Sequence, residues 1–143
     1  MTETLALGWE DIRRDCRLLA ERLAGRGPFT GIVAVTRGGL VPAALLAQDL
    51  DLRVIETVCL ASYDARLRGT VEILKSVPGN GEGWLVVDDL ADSGATARAL
   101  RALLPKAHLA ALYAKPDGRP DLDTFVREIE QAVWIVFPWE AGE

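Results

Sequence analysis

The stretch that decides the fold is GWLVVDDLADSGAT, residues 83–96. A short apolar run, rich in β-branched side chains, leads into two adjacent acids, Asp88 and Asp89, and a third acid, Asp92, opens a turn of small residues. Apolar runs of this length that are bounded by turn residues are typical of strands buried in a parallel sheet. We therefore predict three elements in order: a buried strand over 83–88, an acidic loop over 88–93 and an amphipathic helix over 94–104.

Strands and helices also alternate on both sides of this stretch. Short apolar runs predict further buried strands at 31–36, 53–60 and 108–114. Other patterns predict helices over 9–24 and from the turn at 37–39 to Leu50, a returning strand over 71–76, and a small flanking element around Trp134. Such alternation implies βαβ units, so the predicted fold class is α/β: a central, mostly parallel sheet flanked by helices, in a single domain over residues 1–143.

Composition narrows the function classes. The chain of 143 residues carries a net charge of −5, which argues against nucleic-acid binding because that function needs a basic face. A small phosphate substrate needs only a local cluster of donors and is not excluded. Cys16 and Cys59 lack metal-ligand spacing and are expected to be reduced thiols in the core. We see no signal peptide or membrane-spanning run and expect a cytoplasmic protein.

Three polar segments follow predicted strands, and ligands of parallel sheets bind where strands end. We expect these segments to converge on one crevice: 36–39, 88–96 and 115–116. A helix that starts near Gly94 offers free N–H groups to an anion, with hydroxyls from Ser93 and Thr96, while the acids can accept hydrogen bonds from a sugar. The alternative is that Asp92 and Ser93 only cap a helix.

The acidic stretch resembles the phosphoribosyl diphosphate (PRPP) signature of the type I phosphoribosyltransferases, a strand with two acids followed by an acid, a hydroxyl and glycine. The resemblance implies their fold, with a small hood that binds the base. It implies that Asp88 and Asp89 hold the ribose hydroxyls, with Asp89 beside Mg²⁺. The 5′-phosphate would be held by Asp92, Ser93, Gly94, Ala95 and Thr96. Ala95 departs from the family, which often has a second glycine at this position.

A second loop, Thr36-Arg37-Gly38-Gly39, is by itself compatible with a simple turn before a helix. Beside the acidic stretch it resembles the diphosphate loop of the same family. The resemblance implies that the main-chain amides of Arg37 and Gly38 bind diphosphate, that Arg37 adds charge, and that the peptide bond between Thr36 and Arg37 is cis. It also implies a further diphosphate contact from Arg68, in the loop 62–70.

Two residues are candidates for binding the base. The Lys115 ammonium only donates hydrogen bonds, so it suits the O6 atom of guanine, xanthine or hypoxanthine and not the amino group of adenine. Trp134 offers a flat surface on which a purine can stack. The alternatives are a surface lysine and an aromatic side chain that covers the core.

Five segments, in one order, resemble the bacterial family members that act on guanine and xanthine: VAVTRGGLVPAALLA, TVCLASYD, GEGWLVVDDLADSGAT, YAKPDGRP and the tail from Trp134 to Trp139. This resemblance implies that Lys115, Trp134 and the main chain of Ile135 bind the base and that Asp92 is the general base near N7. It implies purine salvage: transfer of the 5-phosphoribosyl group from PRPP to N9 of guanine or xanthine, and less well hypoxanthine, by a Mg²⁺-dependent homotetramer. Some relatives also associate weakly with the inner face of the cell membrane.

Two alternatives stay open at this point. One is a phosphoribosyltransferase for hypoxanthine or for another base. The other is a non-catalytic regulator that senses PRPP on the same fold.

Overall fold

The computed structural model describes residues 3–62 and 71–140. Its main sheet has six strands in the order β4-β3-β2-β5-β6-β7, and a separate two-stranded sheet pairs β1 with β8. The strands are β1 Thr4–Ala6, β2 Gly31–Thr36, β3 Ile55–Ser62, β4 Val71–Lys75, β5 Trp84–Ala91, β6 His108–Ala114, β7 Thr124–Glu128 and β8 Trp134–Val136. The α-helices are α1 Trp9–Leu23, α2 Leu40–Leu50 and α3 Ala95–Leu103, and short 3₁₀ turns span Arg119–Asp121 and Pro138–Glu140.

Helices cover both faces of the main sheet, because its central strands are apolar on both sides. In β2, Ile32 and Ala34 pack with the α1 and α2 residues Leu19 and Leu46. Val33 and Val35, which alternate with them, pack with Leu100 of α3 and its neighbours. Only the β3–β4 pair is antiparallel in the main sheet as described. The predicted α/β class is confirmed.

The structure corrects the prediction at the acidic stretch. β5 does not end at Asp88 but continues to Ala91, so Asp88 and Asp89 are strand residues and the predicted loop over 88–93 is wrong. The reason is that β6 pairs with β5 along this whole length, with Leu90 opposite Tyr113 and Ala91 opposite Ala114. The ladder of hydrogen bonds to β6 keeps two charged residues in an extended conformation.

The flanking element predicted around Trp134 is part of the small sheet of β1 and β8, which we call the hood. Trp134 pairs with Thr4 and Ile135 with Leu5 in a parallel arrangement. Apolar Ile135 and Phe137 are buried in the same core cluster as α1. The sequence patterns missed both strands of the hood, because each has only three residues, and they also missed β7.

An acid lies within the apolar face of α1. The Asp15 side chain is fully buried, and its carboxylate accepts hydrogen bonds from the Tyr113 hydroxyl (2.5 Å), from Arg127 Nε (3.1 Å) and twice from Arg14 (3.1 and 3.2 Å). This cluster links α1 to β6 and β7. Burial opposes ionisation of Asp15, but these donors outweigh it and lower the carboxyl pKa.

Both cysteines are free thiols, as expected, but only Cys16 is buried in the core, where burial raises its pKa to about 12. Cys59 in β3 is partly exposed, which corrects the prediction that both lie in the core. Within residues 3–62 and 71–140, no helix has the length and apolar character needed to cross a bilayer.

Candidate active site

The three predicted segments meet at the carboxyl ends of the central strands. Gly38 lies so close to Asp89 that a Cβ atom at residue 38 would stand 2.6 Å from the Asp89 Cγ. The Lys115 amide donates to the carbonyl of Ala91 (2.9 Å), which joins the segment after β6 to the end of β5. The convergence expected from strand order is therefore confirmed at this edge of the sheet, and we call the region between the three segments the crevice.

Burial opposes ionisation of both carboxyl groups of the Asp88–Asp89 pair, which lies beside Gly38 at this edge of the sheet. Asp89 donates its amide to Asp88 Oδ1 (2.8 Å), and both side chains are only partly exposed. Burial raises the pKa of Asp88, and the neighbouring Asp89 charge raises it further; burial also raises the pKa of Asp89. Two half-buried carboxylates in contact favour a bound cation or hydroxyl donors, which relieve their repulsion.

The Asp88–Asp89 carboxylates suit Mg²⁺ better than they suit a metal ion whose ligands all come from the protein. Among the described residues, no group of three His, Cys, Asp or Glu side chains comes together as a metal cage. Mg²⁺ typically binds through one or two carboxylates and completes its shell with water and substrate phosphate oxygens. The Asp88–Asp89 pair fits that pattern.

The start of α3 has the geometry of an anion site. Gly94 is the N-cap of this helix and adopts the left-handed conformation (φ 90°), which an L side chain rarely adopts. The required left-handed position is thus Gly94 and not Ala95, so the alanine that departs from the family pattern is tolerated. Ala95 donates its amide to Ser93 Oγ (3.3 Å). The other amides of the first turn of α3 have no acceptor within the helix and can donate to an anion.

Lys115 is buried, with 4% of the residue exposed. Its ammonium donates to the main-chain carbonyls of Gln131 (3.1 Å) and Val133 (2.6 Å). Its third contact is with Asp92 Oδ1 at 3.6 Å. An ammonium has three donors, so two of them fix the side chain and one stays directed toward the crevice near Asp92. The surface-lysine alternative is wrong.

Trp134 follows Val133 directly and is 62% exposed, whereas Ile135 is buried. The Trp134 amide donates to the Glu3 carbonyl (2.8 Å), which fixes the main chain of β8 against β1. The Trp134 side chain is thus largely exposed, one residue after the carbonyl that accepts from the buried lysine. Exposed aromatic surface next to a polar crevice is what a stacked planar base requires.

Two predicted diphosphate-binding residues remain, Arg37 and Arg68. The peptide bond between Thr36 and Arg37 is cis, as expected, and Arg37 is exposed. Arg68 lies outside the described residues. The sequence patterns did not indicate Gln131, although its side-chain amide contacts both Asp92 and Asp117. No local pattern marks it, because it lies 39 residues along the chain from Asp92.

We expect Gly38→Ala to weaken PRPP binding strongly. The added methyl would overlap the Asp89 carboxylate and push the loop after β2 away from the acid pair. The KM for PRPP should rise by about tenfold or more, because a displacement near 1 Å can cost that much. Gly25→Ala, at a glycine with open space around it, is the matched control. An unchanged KM for PRPP in Gly38→Ala would contradict the prediction that this loop binds PRPP.

Comparison with known proteins identifies the family. Residues 8–143 match the phosphoribosyl transferase domain family. The chain therefore belongs to the phosphoribosyltransferases, and the predicted family is confirmed. The purine phosphoribosyltransferase of Pyrococcus horikoshii has the same fold, with a TM-score of 0.80 and 29% identity over 98% of this chain and 96% of that one.

Within this family the chain is similar to one group of enzymes. The xanthine-guanine phosphoribosyltransferase of Nitratidesulfovibrio vulgaris is 52% identical over 134 residues, which cover 93% of this chain and 82% of the relative. The enzyme of the same name from Desulfotalea psychrophila is 51% identical over 138 residues, covering 96% and 86%. The chain is a member of the xanthine-guanine phosphoribosyltransferase group.

Proposed function

We propose that the enzyme transfers the 5-phosphoribosyl group of PRPP to N9 of guanine or xanthine, and less well hypoxanthine, and releases diphosphate. The observation that carries the proposal is the edge of the sheet at which the Asp88–Asp89 pair, the helix start capped by Gly94 and the buried Lys115 lie together. Each of the three suits one part of the two substrates. The chain acts as one domain, a proposal supported by the family match over residues 8–143.

PRPP lies across the ends of β2 and β5. Asp88 and Asp89 accept hydrogen bonds from the ribose hydroxyls, and the 5′-phosphate sits on the segment from Asp92 to Thr96, where the amides and hydroxyls of Ser93, Gly94, Ala95 and Thr96 surround it. Arg37 and the Gly38 amide hold the diphosphate, and Arg68, outside the described residues, would add charge.

Asp89, beside Asp88, would hold Mg²⁺. When bound, the ion would neutralise negative charge that develops on the diphosphate as its bond to C1′ lengthens. The acid pair itself orients the ribose so that C1′ faces the base.

The base lies against Trp134, with its edge toward Lys115 and the main chain of Ile135. The free donor of Lys115 binds O6, and the same donor opposes the amino group of adenine. Asp92 lies 3.6 Å from this ammonium and accepts the proton on the N7 side, which raises the electron density at N9 for attack on C1′.

One assay tests the reaction. Purified enzyme with Mg²⁺ and PRPP is given guanine, xanthine, hypoxanthine or adenine in turn, and diphosphate release is followed. We expect release with the first three and none above background with adenine. PRPP binding without release for any base would instead support the non-catalytic regulator.

Lys115→Met should separate base recognition from PRPP binding. The variant keeps the length of the side chain but loses the donor to O6, and a hydrogen bond to a charged group is worth roughly 1.5–3 kcal/mol, so the KM for guanine should rise about 10–100-fold. The KM for PRPP should change less than about twofold. Lys106→Met, at the opposite end of β6, is the control. Equal increases in both KM values would remove Lys115 from the base site.

We also propose that the enzyme works in the cytoplasm as a homotetramer, with weak peripheral association at the inner membrane face as a further prediction. Four apolar side chains near the β3–β4 edge support self-association, because each is more than two-fifths exposed: Val54, Ile55, Ile73 and Leu74. Light scattering across a dilution series would measure the number of subunits, and vesicle sedimentation would measure membrane association.

A further inference from the structure

We propose that Gln131 is a positioning residue that holds the Asp92 carboxylate in the orientation needed to accept the purine proton. The inference rests on the function proposed for Asp92 and extends it to a residue that does not itself touch the substrate.

Gln131 is anchored at both ends of its amide. Its Nε2 donates to Asp92 Oδ1 (2.9 Å) and weakly to the Asp92 carbonyl (3.4 Å). Its Oε1 accepts the main-chain amide of Asp117 (2.9 Å). Only one orientation of the amide satisfies both contacts, because Asp117 N can only donate and Asp92 Oδ1 accepts. The donor is therefore directed at Asp92 by a second, independent bond.

Asp92 needs such support. Its side chain is 53% exposed and lies in the short connection between β5 and α3, where an unsupported carboxylate would rotate freely. Gln131 and Lys115 both approach the same oxygen, Oδ1. Within residues 3–62 and 71–140, Oδ2 accepts no hydrogen bond and remains available to the base.

The same residue also links the two halves of the base site. The Gln131 carbonyl accepts from the Lys115 ammonium, while its side chain holds Asp92. The acid, the lysine and the segment leading to Trp134 thus keep a fixed relative position. Gln131 should therefore affect the rate of transfer through Asp92 and leave PRPP binding nearly unchanged.

The test uses two substitutions that remove different contacts of the Gln131 side chain. Gln131→Met removes both contacts of the amide, whereas Gln131→Glu keeps an acceptor for Asp117 but turns a carboxylate toward Asp92. We expect both variants to lower kcat by about 10–100-fold. The KM for PRPP should stay within about twofold. Glu130→Met is the matched control, because its exposed side chain makes no hydrogen bond or ion pair with the described residues, and it should keep wild-type kcat.

A double-mutant cycle with Asp92→Asn tests whether Gln131 affects kcat through Asp92. If Gln131 acts through Asp92, adding Gln131→Met to Asp92→Asn should lower kcat by less than about twofold more. Additive losses, or a Gln131→Glu variant with normal kcat, would mean that Gln131 only supports the loop at Asp117 and would overturn the proposal.

The cycle also separates this proposal from the function on which it rests. A low kcat in Asp92→Asn with normal kcat in Gln131→Met overturns the role of Gln131 alone. A normal kcat in Asp92→Asn overturns the general-base role, and the positioning role falls with it.

Discussion

Asp92→Asn is expected to lower kcat by about 10²–10⁴-fold, the range that a positioned general base contributes. The amide has nearly the shape of the carboxylate but cannot accept the purine proton. Its oxygen can still accept the Gln131 bond that Asp92 Oδ1 accepts at 2.9 Å, so the loop before α3 should keep its conformation. The loss should therefore fall on the chemical step.

The measurement is steady-state kinetics with both substrates varied, together with calorimetric titration of PRPP in the presence of Mg²⁺. The PRPP dissociation constant should stay within about twofold of the wild-type value, because the helix-start amides and the Asp88–Asp89 pair are unchanged. Asp117→Asn, in the neighbouring loop, is a control for an added amide near the crevice. A parallel loss of PRPP affinity in Asp92→Asn would assign Asp92 to phosphate binding instead of proton transfer.

The central part of the fold was predictable because its signals are local. The runs in β2, β5 and β6 are apolar on both faces, and this pattern by itself distinguishes a buried parallel strand from a surface strand. β7 was missed because TFVREIE mixes charged and apolar residues, and its pairing with β6 depends on neighbours from elsewhere in the chain. The end of β5 was misplaced because the charges of Asp88 and Asp89 suggest a loop until β6 is known to pair alongside.

In the candidate site, too, the residues that could be predicted are those with a local signal in the sequence. Residues that follow strands directly, such as Asp92 and Lys115, could be placed from strand order, since parallel strands end at one edge. The burial of Lys115 and the bond from Gln131 to Asp92 could not, because both depend on how the segment before β8 folds back over β6. Sequence patterns thus located the groups that do chemistry, and tertiary packing supplied the groups that orient them.

Asp15→Ala is expected to lower the free energy of unfolding by about 3 kcal/mol or more. The Tyr113 hydroxyl is fully buried and would lose its acceptor, and a buried unsatisfied hydroxyl costs about 1–3 kcal/mol. The hydrogen bonds from Arg14 and Arg127 would also be lost, but these two side chains are about half exposed and can be solvated. The free energy of unfolding of a typical protein is only about 5–15 kcal/mol, so this change threatens folding at moderate temperature.

Two further variants keep the prediction testable if Asp15→Ala does not fold. Tyr113→Phe removes one of the four hydrogen bonds to Asp15 and should cost about 1–2 kcal/mol, whereas Glu128→Ala, which breaks an exposed ion pair with Arg119, should cost less than about 1 kcal/mol.

Because the folded-state pKa of Asp15 is lowered, the contribution of its charge to stability is present above the unfolded pKa near 3.9 and is lost as the pH falls through the folded value. Urea unfolding at neutral and acidic pH should therefore show the difference between wild type and Asp15→Ala shrinking in acid. A difference that is independent of pH would mean that the cavity left by the side chain, and not its charge, accounts for the loss.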